Sequence, residues 1–158
     1  MPLTQAALAI YRIALALWLG GMAVFSLLMT PVIFRTQTRE TAARVVGAMM
    51  PVYFRSAIVA VAAALVARIA AGRGLSGLQP SFGTVILAAA LAANLWQAYV
   101  LVPRMERVKT MIPSFESRHA HHPARREFGR LHAFSMTLNF LLMAAAAILI
   151  AAQDAFGP

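Results

Sequence analysis

Phe128, His132, Ser135 and Asn139 are separated by four, three and four positions, so on an α-helix they fall on one face. The imidazole can bind a metal or haem iron or shuttle a proton, and the hydroxyl and amide can hold a partner by hydrogen bonds. Two more polar groups, Asn94 and Gln97, interrupt an earlier apolar run, and Arg55 stands between "MMPVYF" and "AIVAVAAALVA". A fourth set is His119, His121 and His122 in "SRHAHHPARR", with Glu116 close by. Neutral imidazoles in a short tract collect zinc, nickel or copper. This tract has no fixed ligand spacing, however, and Arg118, Arg125 and Arg126 repel a cation, so a solvated loop is expected, with a metal site as the alternative.

The elements that must position these residues follow from hydropathy. The chain has 158 residues, of which 61% are hydrophobic and only 12% charged, with a mean hydropathy of +0.72. A soluble domain is about half apolar and about a quarter charged, so this chain exceeds what a soluble core of its size can hide. Four apolar segments stand out, about 6–34, 45–71, 82–102 and 128–152, each long enough to cross about 30 Å of hydrocarbon. The expectation is an all-α fold, an antiparallel up-down four-helix bundle in the membrane, with residues 1–158 forming a single transmembrane domain. The first run is too long for the apolar core of a secretory signal and lacks a basic leader, so it is read as a retained helix. Pro31 and Pro103 are expected near the ends of the first and third helices, with Gly72, Gly74, Gly77 and Pro80 in the second loop and Pro113 and Pro123 in the third.

Charge sets the orientation. Arg35, Arg39, Arg44, Arg55, Arg104, Arg107, Lys109, Arg118, Arg125, Arg126 and Arg130 flank the first and third connections, against Arg12, Arg68 and Arg73 on the opposite side. Basic segments stay in the cytoplasm, so loops 35–44 and 103–127 are expected there, with both termini periplasmic, in a bacterial inner membrane. The net charge of +9 then points to anionic lipid headgroups rather than nucleic acid. There is no cysteine, so any metal site uses His, Met or carboxylates.

A polar side chain inside a span must find its partner in the bundle. Asn94 lies nine residues before Pro103 and Asn139 eleven after Phe128, depths of about 13 and about 16 Å at 1.5 Å per residue. The two asparagines are therefore expected to meet near mid-membrane, with Gln97 near Ser135. Such a seam either fixes helix register or lines a ligand site. For His132 the plain reading is an interfacial histidine. Arg55 either snorkels to the surface or holds an anion in the same pocket as His132. The odd spans end alike, "LLMTPVIFR" and "YVLVPRMER", which raises the idea of two related hairpins. Within the alanine-rich second span, Ala60 with Ala64 and Ala63 with Ala67 give a spacing that permits close helix packing. No phosphate loop, nucleophile elbow or intramembrane carboxylate pair is present, and the methionines read as packing residues.

The blocks "ALWLGGMAVFSLLMTPVIFR", "GAMMPVYFR", "NLWQAYVLVPRME" and "FGRLHAFSMTLN" occur in the order and spacing of the transmembrane-protein-205-like family, which the chain resembles over all four spans. The last block is the most specific, and Pro51, Tyr53 and Phe54 support it. The resemblance implies a small four-helix membrane protein and no defined activity. The first helix is also distantly similar to that of copper-resistance D proteins and membrane protoporphyrinogen oxidases, in which a histidine precedes a Trp-x-Gly-Gly-like segment. Tyr11 stands in that place before Trp18, Gly20 and Gly21, so a two-histidine haem site is not assembled within the spans.

The resulting expectation is a non-enzymatic membrane protein that binds a small ligand or serves as an accessory subunit of a membrane complex, through a seam of Arg55, Asn94, Gln97, His132, Ser135 and Asn139. No cofactor is favoured. The alternatives are a haem- or metal-binding oxidoreductase using His132, with Tyr11 or Met136 nearby, and an oligomeric transporter or channel along the seam. A protein partner or a second copy of the chain is the other expected contact besides lipid.

Overall fold

The computed structural model describes residues 2–72, 80–112 and 123–154. Four helices are long and apolar enough to cross a membrane: Leu3–Thr36, Arg39–Ala71, Phe82–Thr110 and Pro123–Ala152. They form an all-α, antiparallel bundle in which each span packs on its neighbours in chain order and the fourth closes on the first. Leu17, Leu28, Val59, Val66, Phe134 and Leu141 are exposed on the outside. Such a surface suits lipid, where every backbone polar group is already satisfied within its helix. The chain is an integral membrane four-helix bundle.

The helices are longer than hydropathy gives, and most of the excess lies at the end of the bundle that carries the arginine-rich connections, here called the basic end. Only Gln37 and Thr38 separate the first two spans. Thr38 caps the second helix by accepting a hydrogen bond from the Thr41 N–H at 3.3 Å, which occupies one of the donors a helix start leaves free. The third helix runs on to Thr110 as an amphipathic stretch. Val108 and Ile112 pack there with Ala124, Phe128 and Leu131, and Arg104 pairs with Glu127 at 2.9 Å on the surface. A hydropathy window stops where the charges begin, although the backbone continues.

Pro31 and Pro103 do not end their helices. In each case a π-helical turn comes first, Val24–Met29 and Gln97–Leu101, and the proline is the second residue after it. The Thr30 N–H bonds to Phe25 O and the Val102 N–H to Gln97 O, five residues back in both spans. A proline ring clashes with the carbonyl four residues earlier and brings no N–H, and the wider turn relieves that clash. Pro51 likewise sits inside a continuous helix.

The half of the bundle nearer the termini is filled. Tyr11, Leu15, Trp18 and Met22 of the first span interlock with Val61, Leu87, Leu142 and Leu149. Ala57, Ala64 and Ala71, seven residues apart on the second span, are buried in the same cluster, their small side chains letting backbones approach. Toward the basic end the helices leave space.

Candidate functional site

That space is a cavity of about 460 Å³ at the basic end. Its floor is a junction of three spans. Tyr53 donates its phenolic hydrogen to Asn139 Oδ1 at 2.6 Å, and Asn139 Nδ2 donates to Ser26 Oγ at 2.9 Å. The bond from Tyr53 to Asn139 joins the second span to the fourth, diagonally across the bundle. Phe25 holds the phenol ring from the side, stacked at 4.5 Å and 27°. Both Phe25 and Ser26 belong to the π turn of the first span.

Beside the floor, Ser135 Oγ donates to Gln97 Oε1 at 3.0 Å, the pairing that the depth count gives. Gln97 opens the π turn of the third span and is fully buried, and its Nε2 has no partner among the described residues. An unpaired buried amide costs about 1–3 kcal/mol, so this nitrogen is an unmet donor within the seam.

The walls are apolar, formed chiefly by Phe25, Phe34, Val46, Met50, Phe54, Val102, Met105, Phe128 and Met136. Arg39, Lys109 and Arg125 lie at the charged rim, with Glu106 the one carboxylate among the described lining residues. Lys109 Nζ donates to Ala43 O at 3.1 Å and to Glu106 Oε1 at 3.4 Å. Gly47 makes room for that ammonium, since a Cβ there would lie 2.9 Å from Nζ.

Phe128, His132, Ser135 and Asn139 all line the cavity, so the periodic face of the fourth span holds. The His132 ring lies parallel to that of Phe128, with centroids 6.0 Å apart. Two other expectations are corrected. Asn94 does not meet Asn139: it is buried, and its Nδ2 donates to Ala90 O at 2.8 Å, one turn back on its own helix. Arg55 does not face His132. It is exposed and lines a separate groove between the first and second spans, with Ile10, Trp18 and Ala60. Two positions along a helix turn the side chain through about 200°, so with Tyr53 pointing inward Arg55 points out. His119, His121 and His122 lie outside the described residues.

No group of three His, Cys, Asp or Glu among the described residues could hold a metal ion. Tyr11 cannot join His132, because its hydroxyl accepts from Arg68 Nη1 at 3.2 Å in the opposite half of the bundle. Met136 is one turn from His132 and also lines the cavity, which leaves two donors on one helix and no described third.

Sequence reasoning missed two floor groups as partners, Tyr53 and Ser26. The "PVYF" block drew attention to Tyr53, but its pairing is diagonal and has no sequence signal. Ser26 was hidden by the π turn, which shifts the helix face away from a 3.6-residue count.

Residues 13–114 match the model of the domain of unknown function DUF4149, and the chain belongs to that family. No curated protein and no solved structure matches it at a significant level.

Proposed function

We propose that this chain is a non-enzymatic membrane protein that binds a small amphiphile, with an anionic head and an apolar body, in the cavity at the basic end. One observation carries the reading: the cavity is layered, with a cationic rim, an apolar wall and a hydrogen-bonding floor. Its volume of about 460 Å³ falls among small-molecule sites, which are mostly apolar with a few placed polar groups. Lys109, Arg39 and Arg125 are the groups for the head, the phenylalanines and methionines for the body. Ser135 and Gln97 stand beside the far end.

In this reading the basic end faces the cytoplasm and both termini the periplasm of a bacterial inner membrane, because basic flanks are retained on the cytoplasmic side. Anionic headgroups there are the reservoir of ligand. Kinship with transmembrane-protein-205-like proteins is part of the proposal, supported by the block Phe128–Asn139, which lies beyond the residues the family model matches. A role as accessory subunit is compatible, with the ligand or the exposed apolar faces meeting the partner.

The other readings receive less support. A metal or haem centre at His132 lacks a described ligand set. A path through one copy is blocked beyond Asn139 by the packed cluster around Trp18, Leu15 and Leu142. Purification in mild detergent, organic extraction and mass analysis test the proposal: a stoichiometric anionic amphiphile is expected, and extracts containing only neutral detergent-displaced lipid count against it.

A further inference from the structure

Arg68 lies in "AALVARIAAG", four residues before Gly72, at the end of the bundle remote from the cavity. A cation so near a helix end ordinarily snorkels to the surface, yet Arg68 is only 5% exposed. Side chains on a helix lean toward its N-terminus, and the second span begins at the basic end, so Arg68 leans into the bundle. Its Nη1 donates to the Tyr11 hydroxyl at 3.2 Å, and its Cζ lies 5.7 Å from the centre of that ring. Nε and Nη2 are buried with no partner among the described residues.

The third span starts against this guanidinium. A Cβ on Gly83 would come within 2.4 Å of both Cζ and Nη2 and 2.8 Å of Nε, so only glycine fits against this guanidinium. Gly83 belongs to the first turn of a 17-residue helix that begins at Pro80, and at a helix N-terminus the backbone N–H groups and the helix dipole present positive charge. A buried cation and a positive helix end therefore face each other. No salt bridge among the described residues involves Arg68. Of the acidic residues in the described helices, Glu40, Glu106 and Glu127 belong to the basic end, and Asp154 ends the fourth span at this one. A buried charge with no counter-ion among the described residues is costly in a low-dielectric interior and favours an anion beside it. The edge formed by Nε with Nη2, buried and without a partner among the described residues, is the fork that takes two oxygens of a phosphate or carboxylate side by side.

We propose that Arg68, Tyr11 and the N-terminal turn of the third span form an anion site for a phosphate group, separate from the cavity at the basic end and independent of its function. Arg68 supplies the paired donors, Tyr11 holds the guanidinium in place, and Gly83 admits it to the helix end. The depth, about one helical turn from the membrane surface, suits the phosphate of a phospholipid in the leaflet on the side of the termini; free phosphate is the other source of the same chemistry.

The test uses the full chain, stripped of lipid in detergent and measured by native mass spectrometry and thermal unfolding. One arm adds phosphatidylglycerol, another inorganic phosphate against chloride at equal ionic strength. Arg39→Gln, Lys109→Gln and Arg125→Gln together serve as the background that removes the rim cations of the other cavity. In that background a lipid bound one-to-one, lost or weakened about tenfold or more by Arg68→Gln, is expected, as one charge-assisted pair is removed. Stabilisation by phosphate alone identifies the free anion as the source. If Arg68→Gln fails to fold, Tyr11→Phe and Gly83→Ala carry the test, and both weaken binding. Asp154→Asn leaves binding unchanged. Equal binding by all Arg68, Tyr11 and Gly83 variants overturns the proposal, as does binding that appears only in Asp154→Asn, which would make Asp154 the internal counter-ion.

Discussion

Tyr53 and Asn139 are joined by a 2.6 Å hydrogen bond across the diagonal of the bundle, and with Ser26 they close the floor of the cavity. Interhelical hydrogen bonds in membranes average about 0.6 kcal/mol and reach about 1.7. Here the phenol is the one side-chain donor to the Asn139 carboxamide oxygen among the described residues. Tyr53→Phe is expected to cost about 1–2 kcal/mol, read from unfolding in mixed micelles. The double variant Tyr53→Phe with Asn139→Leu is expected to lose less than the two single costs summed; strict additivity would show that the bond is not a unit.

Gln97 and Ser135 give a prediction of opposite sign. Replacing both partners of a buried polar pair by apolar groups is nearly neutral or stabilising, and Gln97 already carries an unpaired Nε2. Gln97→Leu with Ser135→Ala is expected to match or exceed the wild type in stability without ligand, and to bind ligand more weakly. Ser135→Ala alone costs about 1 kcal/mol. A double variant far less stable than either single one would mean that the amide is held by contacts not described above.

Gly47 is where the rim is easiest to close. A Cβ there already crowds Lys109 Nζ at 2.9 Å, and a longer side chain projects into the lining. Gly47→Leu is expected to abolish binding of the amphiphile while the four-helix fold, followed by circular dichroism, persists. Undiminished binding would place the ligand elsewhere.

The chain has no cysteine, so single cysteines report orientation cleanly. A cysteine at Gln37 is expected to be protected from a membrane-impermeant thiol reagent added to intact cells, and one at Ser76 to be labelled. The reverse pattern would invert the proposed topology.

Much of the architecture is legible in the sequence because lipid imposes a simple rule: four apolar runs of sufficient length must be four helices. The cavity-lining face of His132, Ser135 and Asn139 was legible for the same reason, since helical periodicity alone puts them together. Asn94 was not. A depth count treats every asparagine as seeking another helix, whereas its amide can reach the carbonyl one turn back, as it does at Ala90. Arg55 was ambiguous only until one neighbour's direction was known, and Tyr53 supplies it. The π turns before Pro31 and Pro103 have no hydropathy signature, yet they position Ser26 and Gln97. Arg68 read as an edge cation because its distance from Gly72, and not its inward lean, is what the sequence displays.

The central claim, that the basic-end cavity takes an anionic amphiphile, is tested most directly by titrating purified, delipidated protein with a short-chain anionic phospholipid and with a neutral analogue of the same chain length. Saturable one-site binding of the anionic compound that weakens with rising ionic strength is expected, with at least about tenfold weaker binding of the neutral one, the equivalent of about 1.4 kcal/mol. Arg39→Gln, Lys109→Gln and Arg125→Gln together are expected to remove the preference. Equal affinity for the two compounds, or a preference that survives loss of all three rim cations, would contradict this reading.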